Sequence, residues 1–270
     1  MNLNDIFEHK VINGIEKALA TAKAAVNCTM HGAYSAAHFW NGKTVKPRQC
    51  PVCATEAEMA IKRTQQAEHK RLLLANKRTR LEREMEQANI PKRFVHRTLD
   101  NYVVVNADAG KALQIAREYA DNFESALANG TSLLLLGKVG NGKTHLAIGI
   151  AHEIIKRGLY PFFISVASSI RYIKESWGRD SDHTESQAIR NLVEPDLLIL
   201  DEVGVQFGSD TEKLILFDIL NKRYEQMKPT IVLSNLGVAG LEENLGLRVL
   251  DRLREGGGRV VSFTWESYRG

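Results

Sequence analysis

The chain has 270 residues, 44% of them apolar and 25% charged, with a net charge of +4. That composition fits an ordinary globular protein and excludes a disordered or fibrous one, and the length allows one large domain plus a small one. No apolar run is long enough to span a membrane. The start, Met1-Asn2-Leu3-Asn4-Asp5, lacks the basic-then-apolar signature of a secretory signal, so a cytoplasmic protein without a membrane partner is expected. An odd cysteine count, three, fits a reducing compartment.

Residues 1–26 are expected to be helical, with Ile6, Phe7, Val11, Ile12 and Ile15 at near-helical spacing and an alanine-rich run at 18–25. All the cysteines then fall between 28 and 53. Cys28-x-x-His31 and Cys50-Pro51-Val52-Cys53 are separated by eighteen residues. Two short ligand pairs around a hairpin-sized insert suit a tetrahedral structural zinc site, with His31 as the fourth ligand and His38 as its competitor. A thioredoxin-like redox pair lacks its strand–helix context here. Residues 55–89 read as a charged helix. From Ala54 to Arg97 there are eleven Lys/Arg and six Asp/Glu, a balance of +5. Such a run is either a solvated helix or a basic arm facing nucleic acid or an acidic partner. Pro91 marks a boundary, giving domains 1–88 and 89–270.

Beyond residue 107 the pattern is α/β. A helix at 108–128 precedes strands at 131–136, 160–166, 196–200, 230–234 and 259–264. Helices fit at 145–157, 168–177, 184–193, 211–226 and 247–254. Apolar strands without alternation suit a parallel sheet covered on both faces.

The run Gly137-Lys138-Val139-Gly140-Asn141-Gly142-Lys143-Thr144 fits the phosphate-loop pattern G-x-x-x-x-G-K-[ST] between a strand and a helix, the context the motif requires. Glycines let backbone N–H groups point at phosphate oxygens, Lys143 reaches the β- and γ-phosphates, and Thr144 offers Mg²⁺ a hydroxyl. Leu197–Leu200 carries Asp201 and Glu202 to the carboxyl edge of the sheet. There Asp201 would hold Mg²⁺ and Glu202 would deprotonate the attacking water. Asn235 ends the next strand, where a short amide can meet the γ-phosphate or that water. Arg248, Arg252, Arg254 and Arg269 cluster near the end of the chain, and an arginine suits a transferring phosphoryl group.

The stretch from about 90 to 269 resembles the AAA+ helicase loaders of the DnaC/IstB group, including their phage relatives. The likeness rests on Gly137–Thr144 followed by His145-Leu146-Ala147, on Leu197–Glu202 continuing as Val203-Gly204-Val205-Gln206, on Ser234-Asn235, on Arg248–Arg254, and on Trp265-Glu266-Ser267-Tyr268-Arg269. It implies an α/β AAA+ P-loop NTPase with a parallel five-stranded sheet, preceded by a small helical zinc-binding domain. It implies ATP, Mg²⁺ and Zn²⁺ as cofactors and ATP hydrolysis as the activity. Lys143 and Thr144 would be Walker A, Asp201 and Glu202 Walker B, and Asn235 sensor 1. Arg252 resembles an arginine finger reaching a neighbouring subunit's ATP, and Arg269 resembles sensor 2. The partners implied are copies of itself, single-stranded DNA, and a replicative hexameric DnaB-like helicase gripped by the N-terminal domain. For DNA, Trp177 sits where the family places a contacting aromatic, with Arg171 and Lys174 on the same predicted helix. Ser209 and Thr211 follow Walker B, where the family favours a tyrosine at the position of Thr211. Three alternatives stand beside this reading: an IstB-like transposition regulator binding duplex DNA, a low-turnover nucleotide-gated adaptor, and a zinc module that itself binds DNA.

Overall fold

A computed structural model describes residues 23–37, 50–204 and 209–268. The chain divides into two compact units, Met1–Asn76 and Lys77–Gly270. The helix expected over residues 1–22, His38 and Arg269 lie outside the described residues.

In the first unit, Lys23–Cys28 (β1) and Gly32–Ala37 (β2) form an antiparallel hairpin whose last pair is Cys28 with Gly32. The helix expected to reach residue 26 is therefore a strand from Lys23 onward. Alanine favours helix only weakly, and cross-strand pairing overrides that preference. Gly32 takes a φ of 74° as the turn closes, which costs glycine little. Helix α1, Pro51–Gln87, begins with proline at its first position, where a missing N–H is harmless. The division between the units falls within this helix, so Leu81, Met85 and then Ala88 belong to the core of the second unit.

In the second unit a strap, residues 90–106, leads to α2, Ala107–Asp121, capped by the Asn106 side chain accepting from Ala109 N–H at 2.8 Å. The single helix expected at 108–128 breaks at Asn122, and α3 runs Phe123–Asn129. Then follow β3 Leu133–Gly137, α4 Lys143–Lys156, β4 Pro161–Ser165, α5 Val166–Glu175, α6 Glu185–Val193 and β5 Leu197–Asp201. The chain continues through α7 Asp210–Glu225, β6 Thr230–Ser234, α8 Val238–Leu245, α9 Leu247–Arg254 and β7 Arg259–Phe263. Helix α8 was not expected; it is short and buries only Leu241.

The strands form one parallel sheet in the order β4-β5-β6-β3-β7. Period-two alternation explains why the strands read as unbroken apolar runs. Leu133, Leu135, Leu197, Ile199, Ile231 and Leu233 pack on one face with α2, α3, α4 and the strap. Leu134, Leu136, Leu198, Leu200 and Val232 pack on the other with α5 to α9.

Among the described residues one charged side chain lies wholly inside this unit. Arg223 of α7 donates to the carbonyls of Leu192 (3.1 Å), Val193 (2.8 Å), Pro195 (3.1 Å) and Pro229 (2.6 Å) and to Thr230 Oγ1 (3.0 Å). It satisfies the carbonyl end of α6 and fixes the entries to β5 and β6. Burial pulls its pKa down to about 9. Arg223→Met should lower unfolding free energy by about 3–5 kcal/mol, because it strands several buried acceptors at once. Urea titration measures this, and a loss below about 1 kcal/mol would show that the carbonyls find other donors.

Candidate functional site

Parallel pairing aligns Ser165 with Asp201 and Leu136 with Ser234. The segments leaving those strands therefore meet at one edge of the sheet. There they line a cleft of about 1440 Å³, whose walls include Val139, Gly140, Gly142–His145, Asp201, Glu202 and Asn235. Most of the nucleotide residues expected from sequence are thus brought together. Gly137 and Asn141 lie behind the loop instead. A Cβ on Gly137 would come within 2.2 Å of the Phe263 carbonyl oxygen, and Asn141 is fully buried, donating to that same carbonyl at 2.9 Å.

The phosphate loop is held from outside by the end of the chain. Trp265 Nε1–H donates to Asn141 O at 3.0 Å, and Tyr268 N–H donates to Gly140 O at 2.9 Å. Tyr268 OH donates to Val103 O at 2.8 Å and lies 3.2 Å from Tyr102 OH. Occupying the loop carbonyls from behind leaves the loop amides free to turn toward an anion. Tyr102 covers the other flank: a Cβ on Gly142 would meet its ring at 2.8 Å. In the sequence Trp265 and Tyr268 stand out only through the family resemblance, and Tyr102 lies in the stretch leading into the second domain. Their shared signal was an aromatic cluster too sparse to have a period.

Lys143 Nζ donates to Gly137 O (2.5 Å), Lys138 O (2.6 Å) and Asn141 Oδ1 (3.1 Å). These are neutral acceptors, and burial holds its pKa down to about 8, with Asp201 opposing. Thr144 Oγ1–H donates to Asp201 Oδ2 at 3.3 Å, and Glu202 N–H donates to Asp201 Oδ1 at 2.8 Å. Burial raises the Asp201 pKa. A hydroxyl and a carboxylate side by side are hard oxygen donors of the kind a magnesium ion takes alongside waters. Glu202 has a φ of 62°, a left-handed conformation unusual for glutamate, and its side chain is exposed on the cleft wall. His145 Nε2 lies 2.9 Å from Thr98 O and 2.8 Å from Asn101 Oδ1, so it anchors the strap.

Other expected residues sit elsewhere. Arg252 lines no part of this cleft. It donates to Asn221 Oδ1 and lies over the Tyr224 ring, 4.9 Å from its centroid. Trp177 is 49% exposed, but its indole donates to Glu185 at 2.9 Å. Lys174 pairs with Glu212 at 2.7 Å, while Arg171 and Thr211 are exposed. Ser209 stands at the N-cap of α7 without a side-chain capping bond.

In the first unit the ligand atoms of Cys28, His31, Cys50 and Cys53 all lie within 4.8 Å of one another. The Cys28–Cys53 sulfurs are 3.6 Å apart, and His31 Nδ1 is 3.9, 3.9 and 3.3 Å from Cys28, Cys50 and Cys53. Zn–S and Zn–N bonds of about 2.3 and 2.1 Å at tetrahedral angles give edges of about 3.6–3.8 Å, so the set fits zinc. His31 Nε2 meets Glu56 Oε1 at 3.4 Å, an outer carboxylate that orients the ring so that Nδ1 faces the sulfurs. Met30 and His31 backbone N–H groups pull the Cys28 thiol down to about 6, toward the ligating thiolate.

The depressed Lys143 pKa has a testable consequence. A triphosphate needs the cation, so binding must take up a proton wherever free Lys143 is neutral, above about pH 8. Calorimetry in buffers of different ionisation enthalpy should find negligible uptake at about pH 7 and close to one proton at about pH 9.5, with ATP affinity falling toward tenfold per pH unit. A pH-independent affinity across that range would remove Lys143 as the titrating group.

Comparison with known proteins agrees with this geometry. A family model described as IstB-like ATP binding protein matches residues 50–270. The replicative helicase loader DnaC of Buchnera aphidicola subsp. Baizongia pistaciae is 34% identical over 198 residues, covering 73% of this chain and 79% of that protein. The protein of the same name from Escherichia coli K12 is 34% identical over 194 residues, covering 72% and 78%. The crystal structure of the DnaC helicase loader matches with a TM-score of 0.57 at 25% identity, covering 64% of this chain and 99% of that one. This chain belongs to the IstB-like ATP-binding family and is a relative of the DnaC helicase loaders.

Proposed function

We propose that this protein loads a replicative hexameric DNA helicase onto single-stranded DNA in an ATP-dependent cycle. The observation that carries the reading is the one-third identity to proteins named replicative helicase loader over nearly three-quarters of the chain. It is supported by a phosphate loop and an acidic strand end placed side by side in one cleft.

In this reading Lys143 leaves the Gly137 and Lys138 carbonyls for the β- and γ-phosphates. Thr144 and Asp201 hold magnesium, which neutralises phosphate charge when bound. Glu202 accepts a proton from the attacking water, and Asn235 orients that water. Arg252, held by Asn221 and Tyr224 away from its own cleft, serves a neighbouring subunit's nucleotide. Arg269 acts on the nucleotide of its own subunit. ATP thereby favours self-assembly, because each site is completed between copies. Cys28, His31, Cys50 and Cys53 hold zinc as a closed structural shell, since four protein ligands leave no open position. Residues 1–88 contact the helicase, residues 89–270 form the ATPase, and Arg171, Lys174, Trp177, Ser209 and Thr211 meet DNA, Lys174 and Trp177 by exchanging Glu212 and Glu185 for the strand. The working compartment is the cytoplasm. The family description favours a second reading, an IstB-like regulator of transposition, which would prefer duplex DNA.

Mixing the full chain with a replicative helicase, with ATP and with ADP, should give a large complex whose mass depends on the nucleotide. No complex with either nucleotide, together with tight duplex binding, would favour the transposition reading. Purified protein should carry one zinc per chain, and Cys53→Ser should lose the metal and lower the first unit's melting temperature. A metal-free wild type with unchanged melting would sink the zinc assignment.

A further inference from the structure

The nucleotide cleft is larger than one nucleotide needs. At about 1440 Å³ it exceeds the range of about 300–1,000 Å³ usual for small-ligand sites. The phosphate loop and acidic pair account for part of its wall. Arg83, from the last turns of α1, and Lys92, Arg93 and Arg97, from the strap, line a further, basic lobe of it.

These four cations are exposed, and none lies within 4.0 Å of a carboxylate among the described residues. Their neighbours Arg78 and Arg80 are paired, with Glu82 and Glu84. Against the four, the same lobe sets Glu86 and the already paired Glu82. The fold does not use these charges, yet it fixes their positions. Ile90 and Leu99 are buried in the core, which turns Lys92, Arg93 and Arg97 outward. The strap backbone is pinned by His152 Nε2 at Val95 O (2.7 Å), Asn101 Nδ2 at His96 O (2.6 Å) and Arg117 at Leu99 O (3.1 Å). Arg93 lies over the Phe94 ring, 5.1 Å from its centroid, so that guanidinium is also held. Unpaired charges on a rigid frame are what an anionic ligand requires.

We propose that this lobe is a binding groove for the sugar-phosphate backbone of a single nucleic-acid strand, with Arg83, Lys92, Arg93 and Arg97 as its phosphate contacts. Three of the four are arginines, whose planar fork suits phosphate oxygens. The surface expected from sequence is weaker on this count, because Lys174 and Trp177 are already engaged by Glu212 and Glu185. A strand here lies in the same cleft as the triphosphate, so strand and nucleotide share a wall and each alters the other's binding. The inference rests on the loader reading only for its ligand class.

The test uses full-length protein and a labelled oligo-dT of about 25 nucleotides, followed by anisotropy over a range of salt. Arg93→Gln with Arg97→Gln should weaken binding about tenfold and reduce the salt slope by about 1.4, which is two contacts at about 0.7 each. Arg93→Lys with Arg97→Lys should restore most of both, and melting temperature serves as the control for folding. Wild-type protein that binds no strand would overturn the strand ligand for the whole protein. Wild-type binding with unchanged affinity and slope in the glutamine variant would overturn this site alone. Binding of polyglutamate in place of oligo-dT, lost in the glutamine variant, would overturn it in favour of an acidic protein segment.

Discussion

Parallel pairing of five short strands is the constraint on which the rest of the second unit depends. Because every strand points the same way, every connection that leaves a carboxyl end leaves from one edge. The phosphate loop leaves β3, the acidic pair ends β5, and Asn235 follows β6. Their meeting therefore needs no contact between the residues themselves. It needs only that Leu136 pair with Ser234 and Leu200 with Val232. Arg223 supports that register from inside by fixing the approaches to β5 and β6. A charge without a carboxylate partner is tolerated there because five oxygens share it.

The loop itself is shaped by what lies behind it. A phosphate cradle wants amides forward and carbonyls back, and carbonyls turned into protein need donors. The Trp265 indole and the Tyr268 backbone N–H supply them. The same tail touches the strap through Tyr102 and Val103, and the strap continues back to Ala88 and Met85 in the core. A triphosphate that drew Lys143 away from Gly137 and Lys138 would thus act on a loop already tied to both ends of the second unit. The first unit is organised differently. Its hairpin and the start of α1 bring three thiols and one imidazole to a common point. The zinc proposed for that cluster would supply metal–ligand bonds where a unit this small has little core to rely on.

Much of the second unit was legible in the residues. Apolar strand runs, helix periodicity and the phosphate-loop spacing are local signals, and the observed elements match them to within a few residues. Cys28, His31, Cys50 and Cys53 were legible because metal geometry demands paired ligands at short spacing. The errors were local conflicts that tertiary structure resolved. Residues 23–26 carried a helical preference and became part of a strand through its partner. The helix expected at 108–128 broke at Asn122, and α8 was too short to show a period.

What the sequence determined by itself is the inventory: a parallel α/β ATP-binding unit with a phosphate loop, an acidic strand end and a cysteine–histidine cluster. What only the tertiary structure decided is which side chains are still free to act. Lys174 and Trp177 look available in the sequence and are engaged by Glu212 and Glu185. Arg93 and Arg97 look like ordinary surface charges and stand unpaired on a cleft wall. Trp265 and Tyr268 look like a terminal motif and hold the phosphate loop from more than 120 residues away. The physical reason is common to all three cases. Pairing and burial are properties of neighbours in space, and the chain does not record which distant segment will arrive beside it.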